Sequence, residues 1–375
     1  MNVLKKILLV FVLALMLMPI IQLNTKYFNI SLLDGFEKKD SIGLFVNFNP
    51  QNWFSDSFQK KTNTYLQNNI GFRPLMIRLY NQINYSFFKA TDNSKVVIGK
   101  NDCLFEENYI LDYIGQLFIG KEKADSILYK IKHLQDKLKK ESNIDFVLVF
   151  EPGKASYHSE YIPEKYKTAK KSISNYKYFS KRCNEIGIRN IDLNAMFLNA
   201  KSKTPYPLYP KYGVHWSKYG MLLAMDTVAR RIEKLRNISL PIYRYDSIEV
   251  SNQWLDVDFD IEKTLNLLFP IHHEKMAYPI LIMNDTLAKT RPKLLMIGDS
   301  YCWSIIDNGI ASYLFKDFAY WYYNKTIYPD IWKADDEVSK LNVMQEYNKY
   351  DVILIMITEA NLYKAFWGVE SNYRP

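Results

Sequence analysis

Three uninterrupted apolar runs, Phe146-Val-Leu-Val-Phe150, Leu294-Leu-Met-Ile297 and Val352-Ile-Leu-Ile-Met-Ile357, constrain this chain more than any other feature. A strand with one face in water alternates polar and apolar residues, whereas an unbroken run has to be covered on both faces. Between the runs the apolar residues return to helical spacing. Helices are expected over about 121–141, near 172–186, over 217–235 and from about Tyr301, with a short strand at 188–191. Strands alternating with amphipathic helices build crossover units, so the expected fold class is α/β, a parallel central sheet between two helical layers. Residues 237–290 break the rhythm with several prolines and the stretch Trp254-Leu-Asp-Val-Asp-Phe-Asp260, and read as an insertion near the sheet edge. Val96-Val-Ile, then Gly-Lys-Asn-Asp, then Cys103-Leu-Phe105 reads as a hairpin.

The N-terminus sets the topology. Lys5 and Lys6 precede a charge-free apolar run from Ile7 to Leu23. At about 1.5 Å per residue that run spans roughly 25 Å, enough for a thin bilayer. The preceding lysines favour a cytoplasmic N-terminus, and no small-x-small cleavage site follows, so an uncleaved anchor is expected over a cleaved signal peptide. The remainder, placed outside the cytoplasm, divides into a linker and helical stalk over 26–92 and a large α/β domain over 93–370 that carries the 237–290 insertion. In the stalk, Trp53, Phe54, Phe58, Tyr65, Leu66, Leu75, Ile77, Leu79, Ile83 and Phe87 recur at helical spacing, with a break at Gly71 and Pro74.

Three cysteines, Cys103, Cys183 and Cys302, are too few for a disulfide framework or a zinc site, and neither metal nor cofactor is expected. The net charge of +9 is spread along the chain, which suits a solvated surface or attraction to an anionic surface. An exported chain argues against nucleic acid as a partner. Tyr and Trp number 29 and 7, which serves either an ordinary core or stacking on sugar rings.

Chemistry concentrates at two places. Gly298-Asp299-Ser300-Tyr301 follows a buried strand and opens a helix. A serine there sits at the carboxyl edge of the sheet, where open α/β folds build sites, and neighbouring N–H groups at Gly298 and Asp299 can serve an oxyanion or fix the turn. A nucleophilic serine needs a base, and of the five histidines only His215, in Tyr212-Gly-Val-His-Trp-Ser217, lies at a loop-to-helix junction. Lys154, Tyr301 and Asn361 are candidate substrate contacts. The cluster Tyr320-Trp-Tyr-Tyr323 alternates like a strand and fits either sugar stacking or packing.

In this order, Gly71-Phe-Arg73, Val97-Ile-Gly-Lys-Asn-Asp-Cys-Leu-Phe105, Phe150-Glu-Pro-Gly-Lys-Ala-Ser-Tyr157, His215-Trp-Ser-Lys-Tyr-Gly220 and Ile297-Gly-Asp-Ser-Tyr301 resemble the SGNH-hydrolase-like alginate O-acetyltransferase family, the AlgJ/AlgX type. The resemblance runs over roughly residues 50–360. It implies a flavodoxin-like α/β/α core and acetyl transfer onto polysaccharide hydroxyls outside the cytoplasmic membrane. Ser300 would be the nucleophile and His215 the base, with a membrane-bound O-acyltransferase supplying acetyl groups. A carbohydrate acetylesterase using the same pair and a non-catalytic glycan-binding subunit are the alternatives. One position departs from the pattern: the family carries Asp two residues before the histidine, and this chain has Gly213. Glu151 and Glu359, both just past core strands, are the candidate replacements, alongside a backbone carbonyl.

Overall fold

The computed structural model describes residues 3–35, 49–168, 171–285, 289–328 and 337–372. The chain divides into two compact units, residues 1–94 with 262–271 and residues 95–261 with 272–375. Part of the expected linker, 36–48, lies outside the described residues.

The first unit is helical: α1 (Val3–Thr25), α2 (Pro50–Phe54), α3 (Ser57–Asn69) and α4 (Arg73–Phe88). Among the described residues α1 alone is long and apolar enough to cross a membrane. Gly71, between α3 and α4, donates its N–H to Pro19 O at 3.1 Å. A Cβ at Gly71 would meet that oxygen at 2.3 Å, so only glycine allows the approach. Segment 262–271 belongs here through Asn81 Nδ2, which donates to Leu265 O at 2.8 Å, and Phe269 N, which donates to Gln82 Oε1 at 3.0 Å.

The second unit opens with the hairpin β1 (Val96–Ile98) and β2 (Leu104–Glu106), continues through β3 (Asp145–Glu151) and β4 (Asn190–Asp192), and adds the antiparallel pair β5 (Arg244–Ser251) and β6 (Met276–Ile282). Then come β7 (Leu294–Gly298), β8 (Phe318–Tyr322), β9 (Thr326–Tyr328) and β10 (Val352–Thr358). The central sheet has the order β4-β3-β10-β7-β8-β9. All neighbours are parallel except β9, which runs antiparallel to β8 along the edge. The apolar runs alternate their faces. Phe146, Leu148, Leu295, Ile297, Ile353 and Ile355 pack on one side under α5 (Lys121–Ser142) and α6 (Asn175–Glu185). Val147, Val149, Leu294, Met296, Leu354 and Met356 pack on the other under α7 (Lys218–Arg236) and α9 (Tyr301–Asp307). Ser217 caps α7, its Oγ accepting from Gly220 N at 3.0 Å. The expected α/β/α layering with a mainly parallel sheet is therefore the observed one.

Two details differ. The short strand is Asn190–Asp192, two residues later than its apolar pattern suggests, because Ile188 is spent on the helix layer. The 237–290 excursion is ordered where described: β5 and β6 pair along it, and between them lies a single-turn helix, α8 (Asp260–Thr264). All three cysteines are buried and unpaired.

Candidate active site

β7 ends at Gly298, and the chain turns through Asp299 and Ser300 into α9. The turn is fixed from below. Asp299 is fully buried, and its Oδ2 accepts from Thr358 N (3.0 Å), Thr358 Oγ1 (2.7 Å) and Asn361 Nδ2 (2.8 Å). Its Oδ1 accepts from Tyr301 N at 3.2 Å, and its carbonyl from the Tyr320 hydroxyl at 2.5 Å. A buried carboxylate with this many donors has its desolvation offset and cannot rotate. Ser300, half-buried beside it, is left presenting its hydroxyl at the carboxyl edge of the sheet.

His215 arrives from the other side of the crevice on a clamped loop. Lys154 is fully buried, and its ammonium donates to Pro210 O (3.1 Å), Lys211 O (2.8 Å) and Gly213 O. Burial lowers its pKa to about 8. Val214 O accepts from the Tyr209 and Tyr301 hydroxyls, and the buried Trp216 donates its indole N–H to Ser304 Oγ at 2.6 Å. The imidazole is thereby held with Nε2 2.8 Å from Ser300 Oγ.

The carboxylate at its other nitrogen belongs to Asp260, the first residue of α8. Asp260 Oδ2 lies 2.6 Å from His215 Nδ1, and its Oδ1 accepts from Val214 N at 2.7 Å. That geometry selects the tautomer with the proton on Nδ1, leaving Nε2 to accept from the serine hydroxyl. Burial alone would lower the His215 pKa, but the hydrogen bond and charge of Asp260 outweigh it and the net direction is upward. The imidazole side chain is 17% exposed and the aspartate 28%, so the dyad is sheltered without being sealed.

Gly213 shows why the acid is not at the family position. A Cβ there would meet Val257 O at 2.3 Å and the Asp258 carbonyl carbon at 2.8 Å. The backbone that leads into Asp260 occupies the space an aspartate at 213 would need.

Several sequence expectations are corrected here. Glu151 and Glu359 do lie at the carboxyl edge, but neither is the hydrogen-bond partner of the imidazole. Glu151 is fully buried, and burial, then the neighbouring Asp299 carboxyl, pushes its pKa well above the ordinary carboxylate range, while neither of its side-chain oxygens has a hydrogen-bond partner among the described residues. Glu359 accepts from Ser156 Oγ and Asn194 Nδ2, and burial, then the charge of Asp112, pushes it up to about 8. Lys154, Tyr301 and Asn361 spend the polar atoms described above on contacts within the protein. Gly298 serves packing: a Cβ there would meet Cys302 Sγ at 2.5 Å.

The aromatic cluster splits. Tyr320 and Trp321 are core residues. Tyr323, just past β8, has φ +51° and donates its N–H to Gly298 O at 2.8 Å. A left-handed conformation at a tyrosine costs on the order of 1 kcal/mol and persists where surroundings impose it. Asp260 is the site residue that sequence reasoning missed. The only signal for Asp260 was its place among three alternating aspartates, 256, 258 and 260, in an otherwise aromatic and apolar stretch.

Residues 96–251 match the family model of the SGNH hydrolase-like domain of the acetyltransferase AlgX. The solved structures similar to the chain include the O-acetyltransferase domain of Pseudomonas putida AlgJ, at 16% identity and TM-score 0.46 over 74% of this chain and 99% of that one. Pseudomonas aeruginosa AlgX follows at 15% identity and TM-score 0.45, over 74% and 67%. Bacillus cereus PatB1 stands at 13% and 0.43, over 66% and 92%. No curated protein sequence matches the chain. In this chain the histidine precedes the serine by 85 positions and the aspartate falls between them.

Proposed function

We propose that the chain is a membrane-anchored, extracytoplasmic O-acetyltransferase that moves acetyl groups onto polysaccharide hydroxyls through an acyl-Ser300 intermediate. The observation that carries the reading is the continuous relay Ser300 Oγ, His215 and Asp260, with separations of 2.8 and 2.6 Å. In the first half-reaction Ser300 Oγ bonds to the acetyl carbonyl carbon while His215 Nε2 takes the hydroxyl proton. Collapse of the tetrahedral species expels the donor's oxygen, which leaves with that proton. In the second, a sugar hydroxyl gives its proton to Nε2 and attacks the acyl-serine, and Ser300 regains the proton as it departs. Asp260 stabilises the imidazolium in both halves.

Two further features support the acceptor and the location. The rings of Trp254 and Phe259 lie 4.8 and 4.9 Å from that of His272, an aromatic group flanking Asp260 of the kind that stacks on sugar faces. An apolar N-terminal helix with Lys5 and Lys6 in its first turn suits a single-pass anchor in the cytoplasmic membrane, with the catalytic domain on the far side. Outside the cytoplasm the acetyl donor has to come through the membrane, which implies a membrane-bound O-acyltransferase as partner.

The test is incubation of the purified protein with an activated acetate ester, followed by intact mass. One acetyl adduct, absent in Ser300→Ala, is expected. Its absence in the parent protein, or its persistence in the variant, overturns the acyl-serine reading. Product analysis with an oligosaccharide acceptor then separates transfer from hydrolysis.

A further inference from the structure

The helix α4 carries its amphipathicity the wrong way round for water. Its polar face is committed to protein: Arg78 donates to Ser31 O and Leu32 O, and Asn81 and Gln82 hold segment 262–271. Tyr85, on the same face, is buried. The opposite face presents Leu75, Met76, Leu79, Ile83 and Phe87, exposed by 42%, 46%, 50%, 45% and 79%. An unbroken apolar stripe of this length on a soluble protein marks a contact with something else.

The depth of that stripe follows from α1. The carbonyl that accepts from Gly71 N is that of Pro19, inside the apolar run Ile7–Leu23 and six residues before α1 ends at Thr25. Six residues of helix are about 9 Å. The junction is tight, because a Cβ at Gly71 would also meet Gln22 Cβ at 2.6 Å, and the Phe28 and Phe72 rings lie 5.7 Å apart. The turn that launches α4 is therefore fixed below the end of the apolar span. A helix rising straight out of a bilayer would need apolar residues only in its first turn, whereas this stripe continues to Phe87 in the last. An apolar cavity of about 210 Å³ opens at the same junction, lined by Met18, Ile21, Phe28 and Phe72, a size and character suited to part of an acyl chain. Residues 50–90 carry five cations, Lys60, Lys61, Arg73, Arg78 and Lys89, against one carboxylate, Asp56, which favours anionic headgroups.

We propose that the exposed apolar face of α4 is embedded in the outer leaflet of the bilayer that α1 crosses, so that the first unit is a lipid-seated platform and not a water-exposed stalk. This rests on the reading of α1 as an anchor.

The test uses the full-length protein in nanodiscs of phosphatidylcholine and phosphatidylglycerol, with single bimane labels on Leu79→Cys, Ile83→Cys and, in α1, Leu13→Cys. The native cysteines are fully buried and do not compete for label. At all three positions the expected result is quenching by doxyl-labelled lipid several-fold above quenching by aqueous iodide. Lipid quenching at 13 with iodide quenching at 79 and 83 overturns the platform and leaves the anchor standing. Protection at 79 and 83 from both quenchers means a protein, such as a second copy, covers the face, and also overturns it. Iodide access at 13 removes the anchor and the platform together.

Discussion

The two sides of the catalytic crevice are built on different principles. The serine side is a continuation of the sheet: β7 stops, Asp299 is locked by β10 and the residues after it, and Ser300 has no freedom left. The aspartate side is a loan from an excursion, in which a five-residue helix delivers Asp260 to a histidine 45 positions earlier in the chain. Position 213, where the resemblance places the acid, is filled by the excursion's own backbone. A different segment thus brings a carboxylate to the imidazole nitrogen that the motif residue would have met. What selection acts on in such a site is the carboxylate at Nδ1, whatever its place in the sequence.

The sharpest way to break this comparison is to strike each side once. Ser300→Ala removes the nucleophile, and acetyl transfer should fall by about four to six orders of magnitude with the adduct lost. Asp260→Asn keeps the shape of the acid side and removes its charge; a fall in kcat of about 10³–10⁴ is expected. The same substitution releases what raises the His215 pKa, so the acid limb of the kcat/KM profile should move to lower pH. In the parent protein that limb should lie above the ordinary imidazole value of about 6.5, because the base works only when neutral. An unchanged limb in Asp260→Asn would mean the contact is not made in solution.

These two residues also mark what could be read in the chain. The parallel sheet was legible because unbroken apolar runs have one structural solution, and Ser300 and His215 followed from where such a sheet puts its loops. The acid was not, because a carboxylate contributes nothing to periodicity and the 237–290 segment breaks the strand–helix rhythm from which positions are counted. Glu151 and Glu359 were reasonable on position alone, since both sit at the correct edge. What disqualifies them is burial, which raises both pKa values and which no local pattern announces. Lys154, read from the sequence as a candidate substrate contact, is here the clamp for three carbonyls of the histidine loop.

The next effect in size probes the borrowed space at Gly213. Gly213→Ala puts a methyl group where the Val257 carbonyl oxygen would be 2.3 Å away. The backbone from 257 to 260 has to move, at a cost of about 1–3 kcal/mol of stability. Asp260 moves with it, so kcat should fall by about tenfold or more through misplacement while the slow acetyl adduct on Ser300 still forms. Thermal unfolding and kcat measured on one preparation separate the two effects. Stability lost with kcat unchanged would show that α8 is positioned independently of this approach.

The smallest effect is expected at Glu359, and it distinguishes an edge carboxyl from a working one. Its folded pKa of about 8 exceeds the unfolded value of about 4.3, so the native state holds a proton that the unfolded chain gives up. Stability from this group is complete below the unfolded pKa and declines as pH rises towards the folded one, by at most about 1.4 kcal/mol per pH unit. Glu359→Gln keeps a neutral group of the same shape beside Ser156 and Asn194, and removes the titration. Activity at pH 7 should change by less than about threefold, the cost of a neutral hydrogen bond slightly rearranged. The fall of Tm between pH 5 and 8 should be shallower in the variant than in the parent chain, by an amount read from matched melting curves. If instead Glu359→Gln abolished transfer while Asp260→Asn did not, the acid would belong to the sheet edge after all, and both sides of the crevice would be built from the same strands.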